Sequence, residues 1–446
     1  MKRWMIAYGE NLKAAQKAVA AIEPYVDYVP VCSADALEEY NAITLKVDPT
    51  IKGISINVSE AMGENQSVEI VGQDDINLLY AVADFKNVYL PLALHSNTSN
   101  TPYFFNKLFS APLKPYNYSS APKIRDRGIW LWGHTVFDYR RFIDNMVDLK
   151  LNTLIVWNDF LPINLNDIIN YAHENGVKII LGFAWGWDQR CDKEGINDEN
   201  LISLKDSIVK DYKENYKNIG CDGIYFQSFT ELASDNIGGI RISEAVTKLV
   251  NMTADEILKD EPDLYIQFGL HATSVKDHLD DIAKVDPRVT ILWEDVGAFP
   301  FHYIPNRIEN FDKTLEDTRK IRDLRSAGFG AVLKGVICLN WDTFEHIRGN
   351  FSMGMSDRKY VKAKLEEKKP ILRYIQSAWI KNAKYAQELI KEFKKDSVVT
   401  CLVEEGVLEE AINYPTAIYA ALLWDSDRDI GDILYEVAQR PDVDFI

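Results

Sequence analysis

From Arg127 onward the chain alternates short, β-prone apolar runs with longer amphipathic stretches, and this alternation narrows the fold more than any other feature. Gly128–Trp132, Thr153–Trp157, Lys178–Trp185 and residues 223 to 229 form the first four runs. Leu264–Leu270, Val289–Trp293 and Gly330–Leu339 continue the series. Helical patterns at Tyr139–Leu149, Leu165–Glu174, Leu201–Ile219, Val275–Ala283 and Asp312–Ser326 separate most of them. Strand, helix and parallel strand make a βαβ unit, whose buried strands are near-continuously apolar. Seven such units in order predict a (β/α)8 TIM barrel rather than a doubly wound sheet. Val398–Val403 is the best candidate for the eighth strand.

Residues 1–95 predict a small α/β domain ahead of the barrel. Trp4–Tyr8 is an apolar run and Asn11–Ile22 a helical pattern. In Asp74–Phe85, Ile76, Leu79, Tyr80 and Val82 are spaced for one helix face. Pro and Asn cluster between Ser96 and Pro122, so residues 96–126 read as a linker. The barrel core is expected over 127–350, closing near 405, and residues 357–446 read as a mainly helical C-terminal region.

The chain has 446 residues, enough for a barrel of ~250 with flanking elements. Its formal charge is −17 and no long basic run appears, which argues against nucleic acid or an anionic membrane as the main partner. No run of ~18 apolar residues is present, so no membrane span is expected. The five Cys are scattered and lack CxxC spacing, which suggests a reduced compartment without a zinc site. With no signal peptide pattern at the start, a cytoplasmic location is expected. Self-association into a homo-oligomer stays open.

The strand ends carry the chemistry. In a β/α barrel, catalytic groups sit at the C-terminal ends of the strands. There the sequence places Trp132 and His134, then Trp157, Asn158 and Asp159, then Trp185 and Trp187. Gln227, Thr230 and Glu231 follow the fourth strand and Gln267 and His271 the fifth. Trp293, Glu294 and Asp295 end the sixth, and Trp341 and Asp342 the seventh. Singly, such a Trp is packing and such an Asp a helix cap; their recurrence at one end of the strands points to a site. Glycoside hydrolysis needs a proton donor and a second carboxylate. Glu231 offers the first, and Asp295, Glu294 or Asp342 the second, with Asp295 preferred because the following Gly297-Ala-Phe-Pro300 loop can turn it inward. Asn158, Gln227 and His271 can hydrogen-bond hydroxyls, and the Trp rings can stack on sugars. The histidines His134, His271 and His302 lack metal-ligand spacing, and no nucleotide or serine-hydrolase motif is present, so no metal or cofactor is expected.

The run Arg127-Gly-Ile-Trp-Leu-Trp, with Phe142 to Thr153 and Trp157, resembles the barrel opening of glycoside hydrolase family 20 β-N-acetylhexosaminidases. Ile168 to Ile180 is similar to their third unit, and the domain closing with Leu78 to Asp84 resembles the one preceding the barrel there and in α-glucuronidases. The resemblance covers roughly residues 1 to 235. It implies that Glu231 is the acid/base and that Arg127 binds hydroxyls of the terminal sugar. It departs at Thr230, where those hexosaminidases carry the Asp that orients the substrate's acetamido group. The expected function is therefore a glycoside hydrolase acting on a small oligosaccharide or glycoside, without a named sugar. The rival readings are a catalytically inactive carbohydrate-binding barrel, an α-glucuronidase-like hydrolase, and a lyase or isomerase using the same carboxylates.

Overall fold

The computed structural model describes residues 2–9, 14–26, 40–95, 112–132, 136–157, 160–183, 197–228, 230, 234–271, 274–294, 311–336, 349–354, 357–403 and 408–446. The chain forms two compact units. The first holds Met1–Pro122 with Asp144–Lys150 and Gly431–Phe445, and the second holds nearly all the rest.

In the first unit, β1 (Arg3–Tyr8), α1 (Ala15–Ile22), β2 (Tyr40–Val47), β3 (Ile54–Val58), β4 (Ser67–Gly72), α2 (Asp75–Asp84), α3 (Leu90–His95) and β5 (Tyr116–Ser120) follow in order. The sheet order is β1-β2-β4-β3-β5, with β3 antiparallel to both neighbours. Asp74 starts α2 by accepting a 2.8 Å hydrogen bond from the Asn77 N–H, an N-cap that satisfies a donor the helix leaves open. Strand β5 lies in the stretch whose composition reads as linker. Its Tyr-Asn-Tyr-Ser-Ser sequence has no apolar run, and it is recruited as an edge strand by backbone pairing with β3.

The second unit is a closed, all-parallel barrel of eight strands. Its first half comprises β6 (Asp126–Trp132), α4 (Tyr139–Asp148), β7 (Thr153–Trp157), α5 (Leu165–Glu174), β8 (Lys178–Gly182), α6 (Asp198–Asp211) and β9 (Gly223–Gln227). A small hairpin, β10 (Asn236–Ile237) and β11 (Ile240–Arg241), leads into α7 (Ile242–Asp260). Then come β12 (Tyr265–Leu270), α8 (Leu279–Ile282), β13 (Val289–Trp293), α9 (Phe311–Arg322), β14 (Phe329–Val336), α10 (Arg358–Ile390), β15 (Val398–Val403) and α11 (Tyr414–Trp424). The helix α12 (Ile430–Ala438), but for its first residue, and α4 from Asp144 on belong to the first unit. Pairing of β15 with β6, Thr400 opposite Gly128, closes the ring, so Val398–Val403 is the eighth strand.

Side chains alternate along each strand. One parity fills the barrel: Trp130, Ile155, Trp157, Ile180, Tyr225, Leu292, Val332 and Leu402 form one buried cluster. The other parity faces the helices. This parity decides which strand-end residues can reach the barrel mouth. Among the described residues no helix is long and apolar enough to cross a membrane.

Candidate active site

The inward parity carries polar residues toward the C-terminal ends of β9, β12 and β13. Tyr225 and Gln227 share the inner face of β9. Gln267, Gly269 and His271 continue that face on β12 and just beyond it. Glu294 follows Leu292 by two on the sixth strand and is fully buried.

These residues meet. Glu294 Oε1 accepts the Tyr225 hydroxyl. Glu294 Oε2 accepts from Gln227 Nε2 at 2.5 Å and lies 2.8 Å from His271 Nε2. The sixth strand's end is held in place by the Glu294 N–H, which donates to the Leu270 carbonyl at 3.1 Å. Gly269 makes room for the cluster. A Cβ there would collide with Glu294 Oε1 and the Tyr225 hydroxyl, so this strand position must lack a side chain. A buried carboxylate is costly unless paired and hydrogen-bonded, and the Tyr225 hydroxyl and the Gln227 amide, with the His271 ring beside them, meet that cost here.

The Tyr225 ring is walled by Trp130 and Trp157, each 5.5 Å away between centroids. Gly182 accommodates the Trp157 indole, whose nearest atoms would lie 2.8–2.9 Å from a Cβ at that position. Below them lie Gln267, Thr290 and Tyr265, and burial pushes the Tyr265 phenol up to about 12, so it stays neutral. Thr230, fully buried, is pinned from the fifth unit: its Oγ1 accepts from the His271 N–H at 3.3 Å and its carbonyl accepts from Ser274 Oγ at 3.0 Å.

The structure sorts the residues singled out in the sequence. Gln227, His271 and Glu294 come together, and Trp157 packs beside them in the barrel core. Trp293 does not join them. It has the outward parity, is fully buried, and donates its Nε1 to Thr318 Oγ1 on α9 at 3.2 Å, so it packs the barrel against its helices. Arg127 is also turned away, at the N-terminal end of β6. Its Nη1 donates to the Ile124 and Arg125 carbonyls at 2.7 and 2.8 Å, and its guanidinium stacks 5.2 Å over the Trp424 ring. A guanidinium so engaged anchors the strand's start. Glu231, Asp295, Asp342, His134, Asn158, Asp159, Trp185, Trp187 and Trp341, and the Trp132 side chain, lie outside the described residues. The residue that sequence reasoning missed is Tyr225, which reads as one more apolar strand position. Its separation of two from Gln227 was the available signal, because both must face the same side. Among the described residues no three His, Cys, Asp or Glu side chains are grouped to hold a metal ion.

No protein-family model and no curated protein sequence matches this chain. Solved structures do match in fold. A family 84 glycoside hydrolase aligns with 98% of this chain and 70% of its own at a TM-score of 0.54 and 12% identity. The family 20 β-N-acetylhexosaminidase of Streptomyces coelicolor A3(2) aligns over 98% of this chain and 92% of its own, at 0.50 and 10%. A family 138 enzyme targeting pectin rhamnogalacturonan II aligns over 96% of this chain at 0.50 and 13%, and this chain spans 64% of that protein's length. This chain thus shares its fold, a small α/β domain followed by a (β/α)8 barrel, with glycoside hydrolases of families 20, 84 and 138.

Proposed function

We propose that the protein is a glycoside hydrolase that cleaves a terminal sugar by carboxylate acid/base catalysis. The observation that carries this reading is the buried Glu294 carboxylate at the C-terminal end of the sixth strand, hydrogen-bonded by Tyr225 and Gln227 with His271 Nε2 2.8 Å away. Glycoside cleavage passes through an oxocarbenium-like transition state. A fixed negative charge in a dry, preorganised site stabilises such a cation far better than the same charge in water. Glu294 supplies that charge, and Glu231 is the general acid that protonates the leaving oxygen. The pinned Thr230 supports the second assignment, since it fixes the backbone one residue before Glu231. Asp295 and Asp342 are the carboxylates left to activate water.

Thr230 also bears on the substrate. It stands where the resembling hexosaminidases carry the acetamido-orienting Asp, and its hydroxyl is taken up by the His271 N–H. The reading therefore invokes no substrate-assisted step and no requirement for a 2-acetamido group.

The test is a panel of aryl glycosides and uronides, with product anomers read by NMR. Glu231→Gln should slow a substrate with a poor leaving group by about 10²–10⁴-fold and spare activated aryl substrates. Glu294→Gln should depress both alike, because the charge it removes serves every leaving group. Equal, small losses in both variants would remove these two residues from the roles given. Sugar binding with no turnover by the parent protein would make it a carbohydrate-binding barrel instead.

A further inference from the structure

The 33-residue helix α10 is strongly basic in an acidic chain. Between Arg358 and Ile390 it carries nine Lys and Arg against three Glu, a net +6 in a protein of −17. Its exposed face is also aromatic. Tyr360, Tyr374 and Tyr385 are 50%, 45% and 43% exposed, far more than phenol rings that pack a core. Tyr374 and Tyr385 are eleven residues apart, about three turns at 3.6 residues per turn, so they share one side of the helix about 16 Å apart. Ser377, Ala378 and Lys381 lie between them on that side, two small residues and one cation. Tyr385 is braced by the Phe311 ring at 4.8 Å, which holds its outer face toward solvent as a preformed platform. Arg373, Lys381 and Lys384 flank the two rings, and among the described residues no carboxylate pairs with them. Lys364 and Lys369 on the same helix, by contrast, do pair, with Glu367 and Glu366.

We propose that this face of α10 is a binding track for an anionic polysaccharide, a chain of uronic acid or sulfated sugars. Sugar rings stack their C–H faces on aromatic rings, and the unpaired cations match carboxylates or sulfates carried along the chain. A surface that bound anions by charge alone would not need the tyrosines, and a neutral glycan would not need the cations. The track also has a direction. As the helix following the seventh strand, α10 starts at the C-terminal end of the barrel strands, where β/α barrels place their sites. Tyr360 is at that end, with its ring 5.4 Å from Phe137, which follows the first barrel strand. A polysaccharide lying along α10 is therefore led toward the mouth. This step rests on the reading that the protein acts on carbohydrate, but it is tested by binding alone.

The experiment is affinity electrophoresis of the full chain in gels containing polygalacturonate, neutral dextran or polyglutamate. Retardation is expected in polygalacturonate only. Tyr374→Ala with Tyr385→Ala should weaken that binding about tenfold, because both stacking rings are removed. Arg373→Gln with Lys381→Gln and Lys384→Gln should weaken it and flatten its dependence on salt, since screening acts on the charge contribution. Circular dichroism and hydrolysis of a small aryl glycoside should be unchanged in both variants. Equal retardation in polyglutamate would reveal a plain cation-exchange surface, and unaltered binding by the tyrosine variant would remove the stacking platform. Either result overturns the proposal, as does the absence of retardation in polygalacturonate. A parent protein that binds but does not hydrolyse would refute the enzymatic reading and leave this one standing.

Discussion

Gly269 holds more of the candidate site than its lack of a side chain suggests. It sits on the inner face of β12 between Gln267 and His271, and the Glu294 carboxylate occupies the volume its Cβ would take. The inner wall of a barrel has no slack, because packed interiors absorb an added methyl only by shifting neighbours. Gly269→Ala should therefore destabilise the protein by about 1–3 kcal/mol, the usual cost of overpacking. It should also lower kcat more than KM by pushing Glu294 off the Tyr225 hydroxyl and the Gln227 amide. Denaturant unfolding and steady-state kinetics on one aryl glycoside would check both. Unchanged kinetics in a folded variant would show that the cluster tolerates movement and does not control the reaction.

At the scale of the element, the position of Glu294 depends on where β13 begins. The turn Asp286-Pro287-Arg288 precedes that strand. Asp286 Oδ1 accepts from the Arg288 N–H at 2.8 Å and from its Nε at 3.0 Å, and Oδ2 accepts from Nη2 at 2.7 Å. The Asp286 N–H donates to Asn251 Oδ1 at 2.7 Å, tying the turn to α7. These contacts, the Arg288 side-chain bond foremost, hold the Asp286 carboxyl below the usual carboxylate range. A carboxyl whose folded pKa lies below its unfolded value adds stability above the unfolded value and loses it as pH falls through the folded one. Asp286→Asn should then melt below the parent at pH 7, and the gap should close as pH drops below about 4. Thermal melts across that range would measure it. A gap that stayed constant with pH would mean that the turn is held by geometry rather than by the ionised carboxylate.

At the scale of the whole molecule, the first unit is held together by charges buried from three distant parts of the chain. Lys150, in a left-handed turn (φ 59°) after α4, contacts the Asp84 carboxylate at the end of α2, and both are buried. Burial pulls the Lys150 ammonium below the usual lysine range, against the attraction of Asp84. Arg440 donates to Asp442 at 2.9 and 2.6 Å and to the Asp148 carbonyl at 3.1 Å, and Asn87 Nδ2 reaches Asp442 at 3.0 Å. Removing one partner of such a pair leaves a buried charge uncompensated, which costs about 3–5 kcal/mol. Asp84→Asn should lose about that much in urea unfolding. Replacing both partners, Asp84→Leu with Lys150→Met, should recover most of it, because apolar groups of similar volume leave no unpaired charge. A double variant as unstable as the single one would show that the packing around the pair, and not its charges, carries the stability.

Much of this architecture was legible in the residues themselves. Eight runs such as Thr153–Trp157 and Val289–Trp293 are apolar on both faces, which only a parallel strand buried on both sides requires, so the barrel and even its eighth strand could be located. Glu294, Gln227 and His271 stood out for the same reason, as polar groups at the ends of apolar runs. What the chain's order could not supply was facing. Both parities of a barrel strand are buried, so hydrophobicity does not say that Glu294 turns in while Trp293 turns out to Thr318. Arg127 looked like a sugar ligand because its sequence neighbours resemble those of one, yet its guanidinium is taken by carbonyls and by Trp424, nearly 300 residues further along the chain. Tyr225 is the converse case, an apolar-looking strand residue that becomes a donor only because Glu294 arrives from another strand. Local patterns are set by each segment's own periodicity and so survive in the sequence. Partnerships between segments are set by register and ring closure, and those exist only once the eight strands have met.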